Sequence, residues 1–199
     1  MRIVFMGTPD FAVGSLQALC ESGKHEILAV VTQPDRPKGR GNKLLQTPVK
    51  EYALAQGLTV YQPQKVKTPE FVELLHELQP ELIVVAAFGQ FLSKEILELP
   101  KYGCINVHAS LLPKYRGAAP IQYAIIKGEK ESGVTIMQMD IGMDTGAMLD
   151  KVVVPIEENT TMGELHYALR EQGAALLLQV IDKIAAGTAV AEPQDNEQA

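Results

Sequence analysis

The sequence predicts an α/β domain, a mostly parallel sheet with helices on both faces. Three observations carry that prediction. Short, largely apolar runs recur at Ile3 to Met6, Ile27 to Val31, Leu82 to Ala86 and Ile105 to His108; strands buried on both faces read as such runs rather than as alternating patterns. Segments with a 3.6-residue apolar period separate them, the order expected of parallel strands joined by helical crossovers. The chain has 199 residues, 46% hydrophobic and 21% charged, and a body of this size buries roughly 70% of its unfolded surface, so it holds together without disulfides or a metal.

The elements follow in order. After the first strand, Thr8-Pro9 places a capping hydroxyl before a proline suited to a first helical turn, and Thr47-Pro48 and Thr68-Pro69 repeat the device. The three helices so begun stop at Gly23, Gly57 and Pro80. Pro120 stands near the first turn of a later helix. Thr161 and Glu164 form a capping box ahead of Leu165, Leu169, Leu176, Val180 and Ile184, so a long amphipathic helix closes the domain near Gly187. Residues 188–199 are polar and linker-like. The expected organisation is a folded domain over 1–187 and a connection over 188–199 towards a further domain.

Composition narrows the function. Cys20 and Cys104 match no metal-ligand spacing and are too few for a disulfide framework, so they are expected to be buried, reduced thiols. The N-terminal apolar run is too short for a signal peptide, and no run reaches the roughly 18 residues of a membrane span. The expectation is a soluble, cytoplasmic, monomeric protein with no membrane partner. Net charge is −6, so affinity for nucleic acid has to come from a local basic patch.

Two segments depart from ordinary α/β patterning. From Asp35 to Lys43, Arg36, Lys38, Arg40 and Lys43 set four positive charges against one negative, among glycines and prolines. That composition predicts a long exposed loop over Thr32 to Leu45. Such a loop is either solvated surface or a flexible arm that orders on RNA phosphates. In the second segment Asn106 and His108 stand two apart on one strand, so both point to the same sheet face. Polar side chains at the carboxyl end of a buried parallel strand are costly unless partnered, and such ends are where α/β proteins bind ligands. A rigid stretch, Ser110-Leu111-Leu112-Pro113-Lys114-Tyr115-Arg116-Gly117, follows, and then a glycine-punctuated turn carrying Asp140 and Asp144. Asp140 reads as a turn-capping side chain. Asp144 is the better candidate partner of His108, although spacing alone does not bring the two together.

Taken together, Gly7-Thr8-Pro9-Asp10-Phe11-Ala12, Asn106-Val107-His108, Ser110-Leu111-Leu112-Pro113 with Arg116-Gly117, and Met143-Asp144-Thr145-Gly146 resemble the folate-dependent formyltransferases. The resemblance runs from residue 1 to about Gln194. It implies a Rossmann-like formyltransferase fold, with Asn106, His108 and Asp144 matching the catalytic triad, 10-formyltetrahydrofolate as co-substrate and no metal. It also implies a folate cleft bordered by Phe88, Gly89, Gln90, Leu92, Ser110, Leu111, Leu112, Pro113 and Ile141. The opening residues 7–12 and the basic insertion resemble the branch that formylates initiator methionyl-tRNA. There, Arg36, Lys38, Arg40 and Lys43 would touch tRNA, and Arg40 matches that branch's arginine. That branch also carries a C-terminal tRNA-binding domain beyond residues 188–199.

Chemistry fits these residue types. Attack of a neutral amine on a formyl carbon leaves negative charge on oxygen, and an amide donor such as Asn106 aimed there stabilises it by roughly 3 kcal/mol. His108 can donate to the same oxygen or move a proton, with Asp144 orienting it. A formyltransferase acting on a small amine, such as a nucleotide sugar or glycinamide ribonucleotide, fits the same residues if the basic segment is ordinary surface. A nicotinamide-binding domain fits less well, because Gly7-Thr8-Pro9-Asp10 lacks the GxGxxG turn. A pure RNA-binding module leaves the Asn-x-His pair unexplained.

Overall fold

The computed structural model describes residues 1–41 and 43–199, with Lys38 described by its backbone alone. In chain order the elements are β1 (Arg2–Gly7), α1 (Asp10–Glu21), β2 (Glu26–Val31), β3 (Arg36–Lys38), β4 (Lys43–Leu45), α2 (Pro48–Ala55), β5 (Val60–Tyr61), α3 (Pro69–Leu78), β6 (Leu82–Ala86), α4 (Lys94–Glu98), β7 (Cys104–His108), α5 (Pro120–Ile126), β8 (Glu131–Gln138), β9 (Met148–Pro155) and α6 (Met162–Ala186). A single 3-10 turn follows at Asn196–Gln198. Seven strands form one sheet in the order β5-β2-β1-β6-β7-β8-β9. The first five pair in parallel, and β8 and β9 are added antiparallel.

Side-chain alternation sends each strand's residues to two cores. Ile3, Phe5, Leu82, Val84, Ile105 and Val107 pack with α1, α2, α5 and α6 on one face. Val4, Met6, Ile83, Val85 and Cys104 pack under α3 and α4 on the other. The predicted parallel sheet with helices on both faces is therefore the observed fold. By the same alternation Asn106 and His108 share the face of Cys104, beyond the short helix α4 that covers that side.

The capping rules hold at three of four expected starts. Thr47 accepts from the Lys50 N–H at 3.1 Å, Thr68 from Phe71 at 3.4 Å and Thr161 from Glu164 at 3.1 Å. Thr8 does not cap α1, whose first residue follows Pro9 with no side-chain cap. Its hydroxyl instead donates to the Phe88 carbonyl at 2.9 Å, tying the end of β1 to the loop after β6. The expected unstructured arm also differs. Its flanks pair as an antiparallel ribbon, Arg36 opposite Leu45 and Lys38 opposite Lys43, because residues around a glycine-rich tip close into a hairpin. Cys104 is buried as expected, whereas Cys20 is only half-buried; both are free.

Candidate active site

The site is built where β7 ends. Asn106 and His108 project from one face of the strand, and the turn after β8 brings Asp144 over them. The Asn106 Nδ2 donates to Asp144 Oδ1 at 3.3 Å. His108 Nδ1 lies 3.6 Å from Asp144 Oδ2, and that same oxygen accepts the Gly117 N–H at 2.7 Å. Strand β7 and the loop that follows it thus converge on one carboxylate carried by a later turn, its side chain 16% exposed. Backbone form makes the approach possible. Asp144 adopts φ 55° and Gly117 φ 86°, left-handed values that only a few residue types take readily. At Gly146 a β-carbon would fall 1.7 Å from the Gln138 carbonyl oxygen, so no other residue fits the close of the turn.

The ring of His108 is held at its other nitrogen too. Nε2 lies 2.8 Å from the Tyr115 carbonyl oxygen, and because a carbonyl only accepts, Nε2 carries a hydrogen. Nδ1 then bears a proton only in the cationic ring, the form that Asp144 attracts. Asn106 Oδ1 is buried and, among the described residues, has no hydrogen-bond partner. One Asn106 N–H goes to Asp144, and among the described residues the second has no acceptor.

The residues expected around a folate cleft divide into two kinds. Phe88 and Leu92 have side chains buried in the α3/α4 core, and Leu112 packs on Met137 and Met148. Those three can face a ligand only through their backbone. Ser110 donates to the Lys114 carbonyl at 2.6 Å, and Leu111 lies against Gly133 of β8. Pro113 is buried behind a cis Leu112–Pro113 bond. Gln90 donates to the Gln33 side chain and to the Pro63 carbonyl and accepts from the Val66 N–H. Gly89 is exposed with φ 94°. Ile141 is 76% exposed, Phe91 57% and Met143 52%, so apolar surface is open on the turn that carries Asp144 and on the loop after β6. Asp140 caps its own turn, accepting from Gly142 N and Thr145 Oγ1.

The basic ribbon stands on a polar base. Asp35 pairs with Lys50 at 2.9 Å and accepts from Gln62 at 2.7 Å. The Lys50 and Gln62 hydrogen bonds hold its carboxyl below the usual carboxylate range. Arg36, Arg40 and Lys43 are exposed; the Lys38 side chain lies outside the described residues. Among the described residues no group of three or more His, Cys, Asp or Glu is placed to hold a metal ion, and no helix is long and apolar enough to cross a membrane. A surface groove of about 440 Å³ between α3 and α4 and a cavity of about 230 Å³ beside Leu111–Tyr115 are lined by none of the three convergent residues.

Several participants carry no signal in the sequence. Tyr115 contributes a carbonyl and Gly117 an amide, groups that every such residue has, so no side-chain signal marks them. Gln194 lies in the stretch whose composition predicts a linker, yet it donates to the Asp144 and Gly146 carbonyls, each at 2.8 Å.

A family model described as Formyl transferase matches residues 1–181. The chain belongs to the formyl transferase family. Within that family it is 55% identical, over all of its 199 residues, to the methionyl-tRNA formyltransferase of Acetivibrio thermocellus. It spans 64% of the length of that relative. Among solved structures, glycinamide ribonucleotide transformylase 1 of Symbiobacterium toebii superposes with a TM-score of 0.78 at 20% identity, covering 98% of this chain and 94% of that one. That likeness is one of fold, Rossmann-like in both. An N-formyltransferase from Helicobacter canadensis, solved with folinic acid and dTDP-3-aminofucose, matches at 26% identity with a TM-score of 0.71, covering 98% of this chain and 67% of that one.

Proposed function

We propose that this formyl transferase domain moves the formyl group of 10-formyltetrahydrofolate to the α-amine of initiator methionyl-tRNA. The observation that carries the reading is the convergence of Asn106 and His108 on Asp144 at the carboxyl end of β7. Likeness to a methionyl-tRNA formyltransferase over the full chain supports the choice of acceptor. The Helicobacter structure with folinic acid supports a folate donor. The catalytic domain is built on residues 1–187, residues 192–196 pack back on its active-site turn on the way to a tRNA-binding domain, and the protein works in the cytoplasm as a monomer.

In this reading the neutral amine attacks the formyl carbon, forming a C–N bond and a tetrahedral oxyanion. The free Asn106 N–H donates to that oxygen. His108 reaches it once Nε2 leaves the Tyr115 carbonyl, and Asp144 stabilises the cationic ring meanwhile. Collapse breaks the bond to the folate nitrogen, which takes the proton given up by the amine. The folate ring lies among Ile141, backbone of Phe88, Gly89, Gln90 and Leu92, and Ser110, Leu111, Leu112 and Pro113. Arg36, Lys38, Arg40 and Lys43 meet the tRNA, Arg40 foremost. No metal enters the reaction.

The test measures transfer from 10-formyltetrahydrofolate to methionyl-tRNA beside a nucleotide-sugar amine and glycinamide ribonucleotide, for the parent and for Arg40→Leu. The parent should use the tRNA far better than either small amine. Arg40→Leu should lose most tRNA transfer, keep its stability within roughly 0.5 kcal/mol, and lower the salt slope of tRNA binding by about one. Preference for a small amine, or an unaffected Arg40→Leu, would move the assignment to the small-amine enzymes.

A further inference from the structure

We infer that Gln194 is a positioning residue for Asp144, and that residues 192–196 form a strap holding the active-site turn in shape. The inference rests on the proposed role of Asp144 in formyl transfer. Gln194 is half-buried between exposed Pro193 and Asp195, so its side chain is turned inward from a polar stretch. Both Nε2 hydrogens are used, on the Asp144 and Gly146 carbonyls at 2.8 Å each. Its Oε1 accepts from Arg116 Nε at 3.0 Å, and Arg116 Nη2 donates to Asn196 Oδ1 at 2.8 Å.

These contacts close a ring. Asp144 Oδ2 accepts the Gly117 amide, Gly117 follows Arg116, Arg116 is held by Gln194, and Gln194 returns to the Asp144 carbonyl. The two segments that meet at the carboxylate, 115–117 and 142–146, are thereby tied to each other by one side chain. Upstream, Met148 and Glu192 exchange backbone hydrogen bonds at 2.7 and 2.8 Å, fixing the strap to the start of β9. The tie has a physical purpose. Asp144 sits at φ 55°, a conformation that carries intrinsic strain and persists where surrounding contacts over-determine it. Loosening the carbonyl side of the turn lets the carboxylate swing from Asn106 and His108.

Gln194→Glu is the diagnostic change. It keeps the length and the acceptor for Arg116, but replaces both donors with an oxygen facing two carbonyls. In the full-length enzyme kcat should fall about tenfold, the cost of a slightly displaced Asp144 that no longer holds Asn106 and His108 in their working geometry. KM values should stay within about twofold, and the thermal midpoint should fall by about 4–8 °C. In an Asp144→Asn background the same change should cost less than about threefold, because the carboxylate it positions is gone. The His108 ring resonances in NMR should shift in Gln194→Glu.

An equal loss in both backgrounds, or an unchanged kcat, overturns the inference. If the parent prefers another amine, the cycle is run with that acceptor. If the parent transfers formyl to nothing, the proposed function falls by itself, and unshifted His108 resonances in Gln194→Glu then refute the positioning role independently.

Discussion

Asp144 invites the most discriminating perturbation, because Asp144→Asn keeps the shape and removes one acceptor and the charge. The native carboxylate accepts from Gly117 N at 2.7 Å and from Asn106 Nδ2 at 3.3 Å, and faces His108 Nδ1 at 3.6 Å. The substituted amide has one acceptor oxygen for these donors. If that oxygen keeps Gly117, the new NH2 meets the Asn106 NH2; if it turns to Asn106, the NH2 meets the Gly117 N–H. With the Asn106 amide held in its present orientation, one donor in a largely buried site loses its partner, at about 1–3 kcal/mol. A contact to a charged acceptor is roughly twice as strong as a neutral one, which places the loss towards the upper end. Unfolding free energy should therefore drop by about 2 kcal/mol, seen as a urea midpoint lower by about 1 M. Misplacing Asn106 and freeing the His108 ring from its carboxylate should lower kcat by about a hundredfold or more in single-turnover formyl transfer. A kcat within threefold of the parent, with an unmoved urea midpoint, would refute the idea that one carboxylate organises both residues.

Asn106→Ala should lower kcat roughly a hundredfold while folate binding by fluorescence titration changes little, since its donor acts on charge that develops in the transition state; a kcat within threefold removes Asn106 from the mechanism. Asp35, held below the usual carboxylate range by Lys50 and then Gln62, binds its proton less tightly folded than unfolded. Its pairing adds stability above the ordinary carboxylate pKa of about 4 and loses it as pH falls through the lower native value, so Asp35→Asn should flatten that acid-side fall. An identical stability–pH curve for the variant would dismiss the pairing. Cys104, its thiol pushed up to about 12 by burial, should resist alkylation at pH 8 until the protein unfolds, whereas half-buried Cys20 reacts first; labelling of native Cys104 by mass spectrometry would contradict the buried strand position.

Legibility in the sequence follows the physics of each element. The parallel strands β1, β2, β6 and β7 are buried on both faces, so nearly every residue had to be apolar and the runs stood out. The antiparallel pair β8 and β9 is not legible in the same way. Ser132, Gly133 and Thr135 interrupt β8, yet Ser132 and Thr135 are buried. Thr135 is kept there by accepting from Leu112 N at 3.1 Å and donating to the Ser110 carbonyl at 2.7 Å. Gly133 is small because Leu111 and the Val152 carbonyl crowd it. Those reasons belong to a loop more than twenty residues upstream and to β9 downstream, and local patterning does not contain them. The Thr-Pro pairs make the same point: Thr47 and Thr68 cap their helices, while the Thr8 hydroxyl is taken by a carbonyl 80 residues away.

The site divides along a similar line. Asn106 and His108 were legible because polar side chains in a buried strand conflict with their surroundings, and such conflicts concentrate where function is located. Asp144 was legible as a carboxylate in a glycine-punctuated turn. What supports them was not. Tyr115 fixes the His108 ring with a carbonyl presented at φ 57°, and any residue type carries that carbonyl. Gln194 reads as one polar residue in a polar tail, and only the folded chain turns it beneath Asp144. Groups that meet a substrate need special side chains, whereas groups that hold those side chains in place can be ordinary ones used at a particular geometry. A variant screen ranked by side-chain chemistry would therefore find Asn106, His108 and Asp144 and pass over Gln194. A screen ranked by distance to the Asp144 backbone would find it at once.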